Sequence, residues 1–398
     1  MTARQALDPS DTRLPARRRL LGVDAARGVA LIGMMSIHIL PRDDPDGSTS
    51  TAYLIASGRS AALFAVLAGV GLALASGGST PPRGHPLARA RAGILGRAAV
   101  LMLVGLFLGA FDSGVAVILA YYAVFFVVAV PFLGLPARVL LPLAGVWAVL
   151  APVLSQAIRP AVPGPSFANP TLESLAHPVD LLREIALTGY YPVLTWTAYL
   201  LAGLGIGRLA LHRARTATYV LVGGAALAIA AWGTSWLLLH PGGGLYELEA
   251  AGAAGTPLAG RALEHVLTTS FFGTTPTTSW WWLAVASPHS GSPLDLLHTI
   301  GTACIVLGLM LLLVRATGRL LWPLAAIGSM TFTLYTVHVL LLSTLLPDTI
   351  PAALIWHVCV ALAIAVPWRV FVGRGPLEWV AAELSRGATM LVQSRPAR

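Results

Sequence analysis

Hydrophobic positions along this chain gather into long, nearly unbroken stretches rather than alternating with polar ones at the period of two that marks a half-buried strand. Such stretches lie near 22–41, 58–76, 94–112, 114–133, 138–157, 190–210, 217–239, 295–315, 320–346 and 351–372. Each approaches the ~20 residues that a helix needs to cross a bilayer. The pattern predicts an all-α polytopic membrane protein, a bundle of about ten transmembrane helices. One transmembrane unit is expected over 18–387, with a long outer loop at 240–294, flanked by a disordered cytoplasmic tail at 1–17 and a second cytoplasmic tail at 388–398.

Charge orders these stretches. With a cytoplasmic amino terminus, Arg83, Arg89, Arg91, Arg138, Arg213, Arg215, Arg315 and Arg319 fall in inner connections, and Arg374, Arg386, Arg395 and Arg398 in an inner carboxy-terminal region. That is the positive-inside pattern, and it predicts that both termini are cytoplasmic. The outer side then receives the acidic turn of Asp43, Asp44 and Asp46, the segment 158–189, the loop 240–294 and a short turn at Pro347 and Asp348. Arg13, Arg17, Arg18 and Arg19 could open a secretory signal, but the apolar segment after them contains Asp24 and Arg27 and ends in ILPRDD, without small residues at a cleavage site.

Composition agrees with a bilayer and excludes other classes. The 398 residues are 56% hydrophobic and 11% charged, with a mean hydropathy of +0.75, whereas a soluble domain carries about 25% charged residues. All 26 basic residues are arginine, and most of them sit between apolar stretches, which argues against nucleic-acid binding. Cys304 and Cys359 lie in separate apolar stretches, as packing residues. No CxxC, HExxH, phosphate-binding loop or GxSxG occurs, and no metal is expected.

The first stretch carries the main chemical signal. In LGVDAARGVALIGMMSIHILP, Arg27 and His38 are eleven helical steps apart, which is three turns, so they share a face with ~16 Å between them. Asp24 falls near the same stripe. An ionisable group at membrane depth costs at least ~2.5–3.5 kcal/mol, so the stripe should face protein or an aqueous path. His38, near the outer end, can accept a proton from an attacking hydroxyl or amine. Arg27, in the inner half, can hold the phosphate of a donor, or simply pair with Asp24 to fix the helix.

Thr331, Tyr335 and His338 repeat the theme on the stretch 320–346, at i, i+4 and i+7, which points His338 into the bundle beside the first helix. Further polar and aromatic residues cluster at outer helix ends: Arg59 and Ser60; Tyr190, Tyr191 and Trp196; and Ser287, His289, Ser290 and Asp295. Of these, Arg59, Ser60, Trp196, His289 and Ser290 are candidates for acceptor binding. Trp280, Trp281 and Trp282 suit an interfacial belt that anchors a re-entrant or surface segment, or substrate stacking. Gly203 and Gly207 have the spacing of a helix-packing pair, and Glu378 with Trp379 reads as a cytoplasmic capping element.

RLLGVDAARGVALIGMMSIHILP resembles the opening of the heparan-alpha-glucosaminide N-acetyltransferase-like membrane proteins. GYYPVLTWTAYLLAGLGIGRL, SPHSGSPLDLLHTIGTA, GSMTFTLYTVHV and GPLEW resemble blocks of its bacterial YeiB-type members, so the likeness extends over most of 18–387. The R-x10-H spacing is also similar to the first-helix signature of the wider membrane acyltransferases that modify cell-surface glycans, in which the histidine is considered catalytic. The resemblance implies an enzyme that takes an acyl group from cytoplasmic acyl-CoA, acetyl-CoA above all, and passes it across the membrane. Lysosomal heparan members have asparagine at the place of His38 and a catalytic histidine in the following loop, but 42–57 here contains no histidine. That departure moves the catalytic role to His38 and directs the acceptor away from heparan, towards a glycan or glycolipid of the bacterial cell envelope.

The reading that follows is an acyltransferase of the bacterial cytoplasmic membrane. His38 would be its base, His338 and Tyr335 would orient that base or the acceptor, Arg27 would hold the donor phosphates, and Asp24 would position Arg27. A transporter or flippase that uses the polar stripe as a path is the alternative, and a non-catalytic scaffold is a third. Apolar outer faces would permit a homodimer.

Overall fold

A computed structural model of the chain describes residues 20–252, 257, 260–269, 271–344 and 350–393. The tail expected at 1–17, the turn at Pro347 and Asp348, and Arg395 and Arg398 lie outside the described residues. Those described are helical, apart from loops and one isolated bridge between Asp43 and Thr49.

In chain order the helices are α1 (Leu21–Ile39), α2 (Thr51–Ala56), α3 (Arg59–Ala75), α4 (Gly84–Leu108), α5 (Leu119–Ala129), α6 (Ala137–Ile158), α7 (Pro178–Arg183) and α8 (Val193–Gly207). They continue as α9 (Ala214–Leu239), α10 (Gly244–Ala251), α11 (Arg261–Thr269), α12 (Pro293–Thr317), α13 (Trp322–Gly328), α14 (Thr331–Thr344), α15 (Ile350–Phe371) and α16 (Pro376–Gln393). Seven of the described helical segments are long and apolar enough to cross a membrane. The other three expected crossings take shorter or broken forms. The stretch 114–133 yields α5 and a 3-10 turn over Val130–Gly134. The stretch 190–210 yields only α8, because Pro192 is its N-cap and disfavours a helical conformation at Tyr191 before it. The stretch 320–346 splits into α13 and α14, bent by 77°.

Two local features correct the sequence expectations at the helix ends. α4 begins at Gly84, so Arg89 and Arg91, expected in a connection, lie on that helix. α16 runs on to Gln393, past the boundary at 387, and packs along α4 where Gly93 and Gly96 meet Ser385 and Leu384. Glu378, at its start, explains how the break before α14 is tolerated. One carboxylate oxygen accepts the N–H groups of Phe332 (2.8 Å) and Thr333 (3.3 Å), and the other accepts the Thr333 hydroxyl (2.6 Å). A carboxylate in this place satisfies donors that the first turn of a helix leaves unpaired.

The buried core runs through α1, α3, α5, α8, α12, α13 and α14. α1 lies at its centre, against α3, α12 and α13. Small residues allow the close crossings: Gly203 and Gly207 of α8 face Gly69, Val70 and Ala73 of α3, as their spacing predicted. Gly28 of α1 lies against Leu324, and Gly328 of α13 against the backbone of Asp24. The loop at 240–294 carries a small hydrophobic cluster of its own, in which Leu248, Leu263 and Phe271 surround Trp282. This corrects the expected tryptophan belt. Trp282 is fully buried and donates its indole N–H to Thr278 at 2.9 Å, and only Trp280 of the three is exposed.

A side chain at position 328 would force α13 away from α1. Gly328→Val should lower thermal stability in detergent by about 1–3 kcal/mol, the cost of overpacking. Gly223→Val, at a position with open space around it, should change it little.

Candidate active site

α1 carries its polar residues into two separate cavities. Asp24 and Arg27 line one of about 750 Å³. His38 lines the other, of about 30 Å³. Three further elements border both: α3 through Phe64 and Gly71 in the larger and Ser60 in the smaller, the start of α5 through Leu119 and Ile118, and α14 through Phe332 and Tyr335. In each of these three elements, lining residues of the two cavities are no more than one helical turn apart.

The larger cavity is cationic. Arg27, Arg97 and Arg374 line it with Asp24 and Glu378, and both carboxylate oxygens of Glu378 are engaged at the start of α14. Arg27 is 3.3 Å from Asp24 and reaches the Leu67 carbonyl at 3.4 Å. The Asp24–Arg27 pair and the cavity-facing arginine are therefore the same structure. Beneath, Arg208 is buried and closes the turn after α3 by donating to the carbonyls of Ala73 (3.0 Å), Gly78 (2.9 Å) and Leu133. A volume of 750 Å³ lies within the range of pockets that bury a whole organic ligand, and convergent guanidinium groups suit phosphates.

The smaller cavity is lined by Met34, His38, Gly58, Ser60, Ile118, Tyr191, His289 and Tyr335. His38 Nδ1 lies 3.0 Å from His338 Nε2, with the two rings within 11° of parallel. His338 Nδ1 in turn lies 2.9 Å from His357 Nδ1. α1 and α14 thus meet through the histidines whose spacing suggested the contact. The Tyr335 hydroxyl accepts the Ile118 N–H at 3.2 Å. His289, with a left-handed φ of 59°, accepts the Gly58 N–H at Nε2, 3.0 Å away. Burial holds its imidazole down at about 4, so it is neutral at physiological pH. The space holds about one water. A hydroxyl group is of the same size.

The other residues singled out in the sequence are distributed differently. Ser60 and Tyr191 line the smaller cavity. Thr331 lines the larger one, although it shares a sequence stripe with Tyr335. Trp196 borders neither cavity and is packed among Phe125, Tyr191 and Tyr199. Arg59 donates to the Leu54 carbonyl at 2.6 Å and faces His298 at 3.4 Å. Ser290 is buried and accepts the Ser292 N–H at 3.3 Å, and Asp295 accepts the Gly291 N–H at 3.0 Å; both shape the turn that presents His289. Tyr190 donates its hydroxyl to the Phe167 carbonyl at 2.7 Å.

Four residues entered the site without having been singled out. His357 is an ionisable residue in the apolar stretch 351–372, the same signal that marked His38, but the other charge there, Arg369, lies twelve residues on and off its face. Tyr122 lines the larger cavity, and its buried hydroxyl has no hydrogen-bond partner among the described residues. Arg374 read only as an inner-side charge, Arg97 lies within the apolar stretch 94–112, and only the packing of α4 and α16 brings them to the cavity that Arg27 lines.

A multi-pass helical membrane protein with a cationic cavity and a buried histidine chain on one shared helix is the class these features define. The catalytic-domain model of the heparan-alpha-glucosaminide N-acetyltransferase family matches residues 19–239, more than half of the chain, and the chain belongs to that family. No curated protein matches it. The matched region contains Asp24, Arg27, His38, Ser60 and Tyr122, whereas His289, Tyr335, His338 and His357 lie beyond it. Family membership makes acetyl transfer its general chemistry.

His289 provides a pH test of the site's packing. Its folded-state pKa of about 4 lies below the ordinary 6.5, so between these values the unfolded chain binds a proton that the folded one does not. The resulting stability is present above 6.5 and is lost as pH falls towards 4. His289→Gln, which keeps an acceptor for the Gly58 N–H, should flatten the decline in melting temperature over that window, measured against wild type in detergent.

Proposed function

We propose that the protein transfers an acyl group, acetyl above all, from cytoplasmic acyl-CoA to a glycan or glycolipid hydroxyl on the outer side of a bacterial cytoplasmic membrane. The observation that carries this reading is the placement of Arg27 in a large cationic cavity and His38 in a small one, on a single helix. Their separation of ~16 Å along α1 suits a donor whose flexible pantetheine arm holds the thioester far from its phosphates. The α3–α4 and α8–α9 connections border the larger cavity, and Arg83 and Arg213 in them, with Arg89, Arg91 and Arg215 in the helix turns that follow, support a cytoplasmic assignment for that side by the positive-inside rule.

In this mechanism Arg27, Arg97 and Arg374 hold the donor phosphates, and Asp24 orients Arg27. The acyl thioester reaches between the cavities, past Tyr122, whose hydroxyl is placed to donate to the carbonyl oxygen as it gains charge. His38 takes the proton from the acceptor hydroxyl as its oxygen bonds to the carbonyl carbon. The carbon–sulfur bond breaks, and the departing thiolate receives that proton. Tyr335 and Ser60 border the acceptor's hydroxyl, and His338 holds the His38 ring.

The transporter reading has less behind it. Broken helices in matched positions of two repeats would favour it, and among the described residues a single bent pair, α13 with α14, passes as a broken crossing.

Acetyl-CoA binding to purified protein tests the division of labour, with desulfo-CoA and unrelated nucleotides as controls. Arg27→Ala should weaken binding by about tenfold or more, the loss of one charge-assisted contact, while His38→Ala should bind as wild type does. Absence of acetyl-CoA binding by folded wild type would favour the transporter.

A further inference from the structure

We propose that His357 is a positioning residue that supports proton uptake by His38 through His338, a role that rests on the reading of His38 as the base. The three imidazoles come from three helices, α1, α14 and α15. They are joined at 3.0 Å and 2.9 Å. His338 and His357 are 1% and 2% exposed, so water does not substitute for either contact. His357 engages only Nδ1, since its buried Nε2 has no partner among the described residues.

A neutral imidazole has one N–H and one lone pair. Each link in this chain therefore needs a proton on one of its two nitrogens and none on the other. With His38 unprotonated at Nε2, its Nδ1–H donates to His338 Nε2, and His338 Nδ1–H donates to His357 Nδ1, which places the His357 proton on Nε2, without a partner among the described residues. When His38 Nε2 takes the acceptor's proton, the Nδ1 proton of His38 can pass to His338 Nε2. His338 is then the imidazolium, and it donates one N–H to His38 Nδ1 and the other to His357 Nδ1. Both bonds are charge-assisted, and the positive charge has moved one ring away from the reacting atoms. The reverse shift returns the proton to Nε2 of His38 for the thiolate, so protons balance over the cycle.

The His357 Nδ1 lone pair is what makes that state affordable in a buried site. Without it, the His338 Nδ1–H has no acceptor, an expensive loss in an apolar interior. His338 then does better with its proton on Nε2, donating to His38. That forces the His38 proton onto Nε2, where it blocks the base.

The test uses full-length protein, 15N-labelled at histidine, in lipid nanodiscs. Nitrogen chemical shifts report the tautomer of each ring, assigned by single substitutions, and slow hydrolysis of acetyl-CoA serves as the turnover probe because the smaller cavity admits water. In wild type His38 should be unprotonated at Nε2, and acid should form the first imidazolium of the three at His338. His357→Phe should move the His38 proton to Nε2 and slow CoA release by about ten- to a hundredfold, the loss of one hydrogen bond to a charged group. His357→Asn, which keeps an acceptor, should largely restore both.

Unchanged His38 shifts in His357→Phe, or equal loss in the Asn and Phe variants, would overturn the proposal. If His357→Phe does not fold, a first imidazolium at His38 or His357 in wild type overturns it equally. Full CoA release by His38→Ala would instead overturn the reading of His38 as base, whatever the shifts of His338.

Discussion

Asp24, Arg27 and His38 stand on one membrane-length helix, and a bilayer offers none of them a partner. The fold is the solution to that constraint. α1 is surrounded by α3, α12 and α13 rather than left at the edge of the bundle, and each polar group meets protein or a cavity. Asp24 and Arg27 meet each other, Arg27 also meets the Leu67 carbonyl, and His38 meets His338. Gly28 and Gly328 let the backbone of α13 come close enough to complete the enclosure.

Central placement has a chemical consequence. A helix that is buried along its length and polar at two heights connects two compartments without an open channel between them. The elements that separate the cavities, α3, α5 and α14, are only about one turn thick there. In the proposed transfer the thioester would span that barrier, and the Phe64–Tyr122 ring contact, with centroids 5.4 Å apart, stands on its larger-cavity side. The two volumes differ by more than an order of magnitude, 750 Å³ against 30 Å³. In the proposed transfer the larger would hold the donor and the smaller would take only the reacting group.

Seven membrane-length helices among the described residues were legible in the sequence because length and apolarity alone define them, whereas the short or broken forms of the other three expected crossings were not. The stripe of Arg27 and His38 was legible because helical period alone places it. The i, i+4, i+7 pattern gave the side of α14 that carries His338 towards α1, and Glu378 does cap, though what it caps is the broken start of α14. Tertiary information was harder to read. Periodicity does not say that Arg97 of α4 and Arg374 before α16 converge on Arg27, since those residues are far apart in the chain and carry no pattern in common. Trp196 and Trp282 looked like outward-facing aromatics because they lie near outer helix ends, yet both fill cores. His357 had no polar neighbour to give it a face. Its partner lies on another helix, and a single polar residue in an apolar stretch has the same appearance whether it faces a partner or fills a gap.

The account depends above all on the two cavities opening to opposite faces of the membrane, with the donor in the larger. In a background with Cys304 and Cys359 replaced, Ser79→Cys marks the larger cavity, and the exposed Leu54→Cys, on α2 two residues before Ala56 of the smaller cavity, reports the side on which that cavity lies. A membrane-impermeant thiol reagent, applied in turn to each face of oriented vesicles, should reach Ser79→Cys from the cytoplasmic face alone and Leu54→Cys from the opposite face alone. Acetyl-CoA should protect only the former. Labelling of both from one face, or protection of Leu54→Cys by acetyl-CoA, would contradict the account.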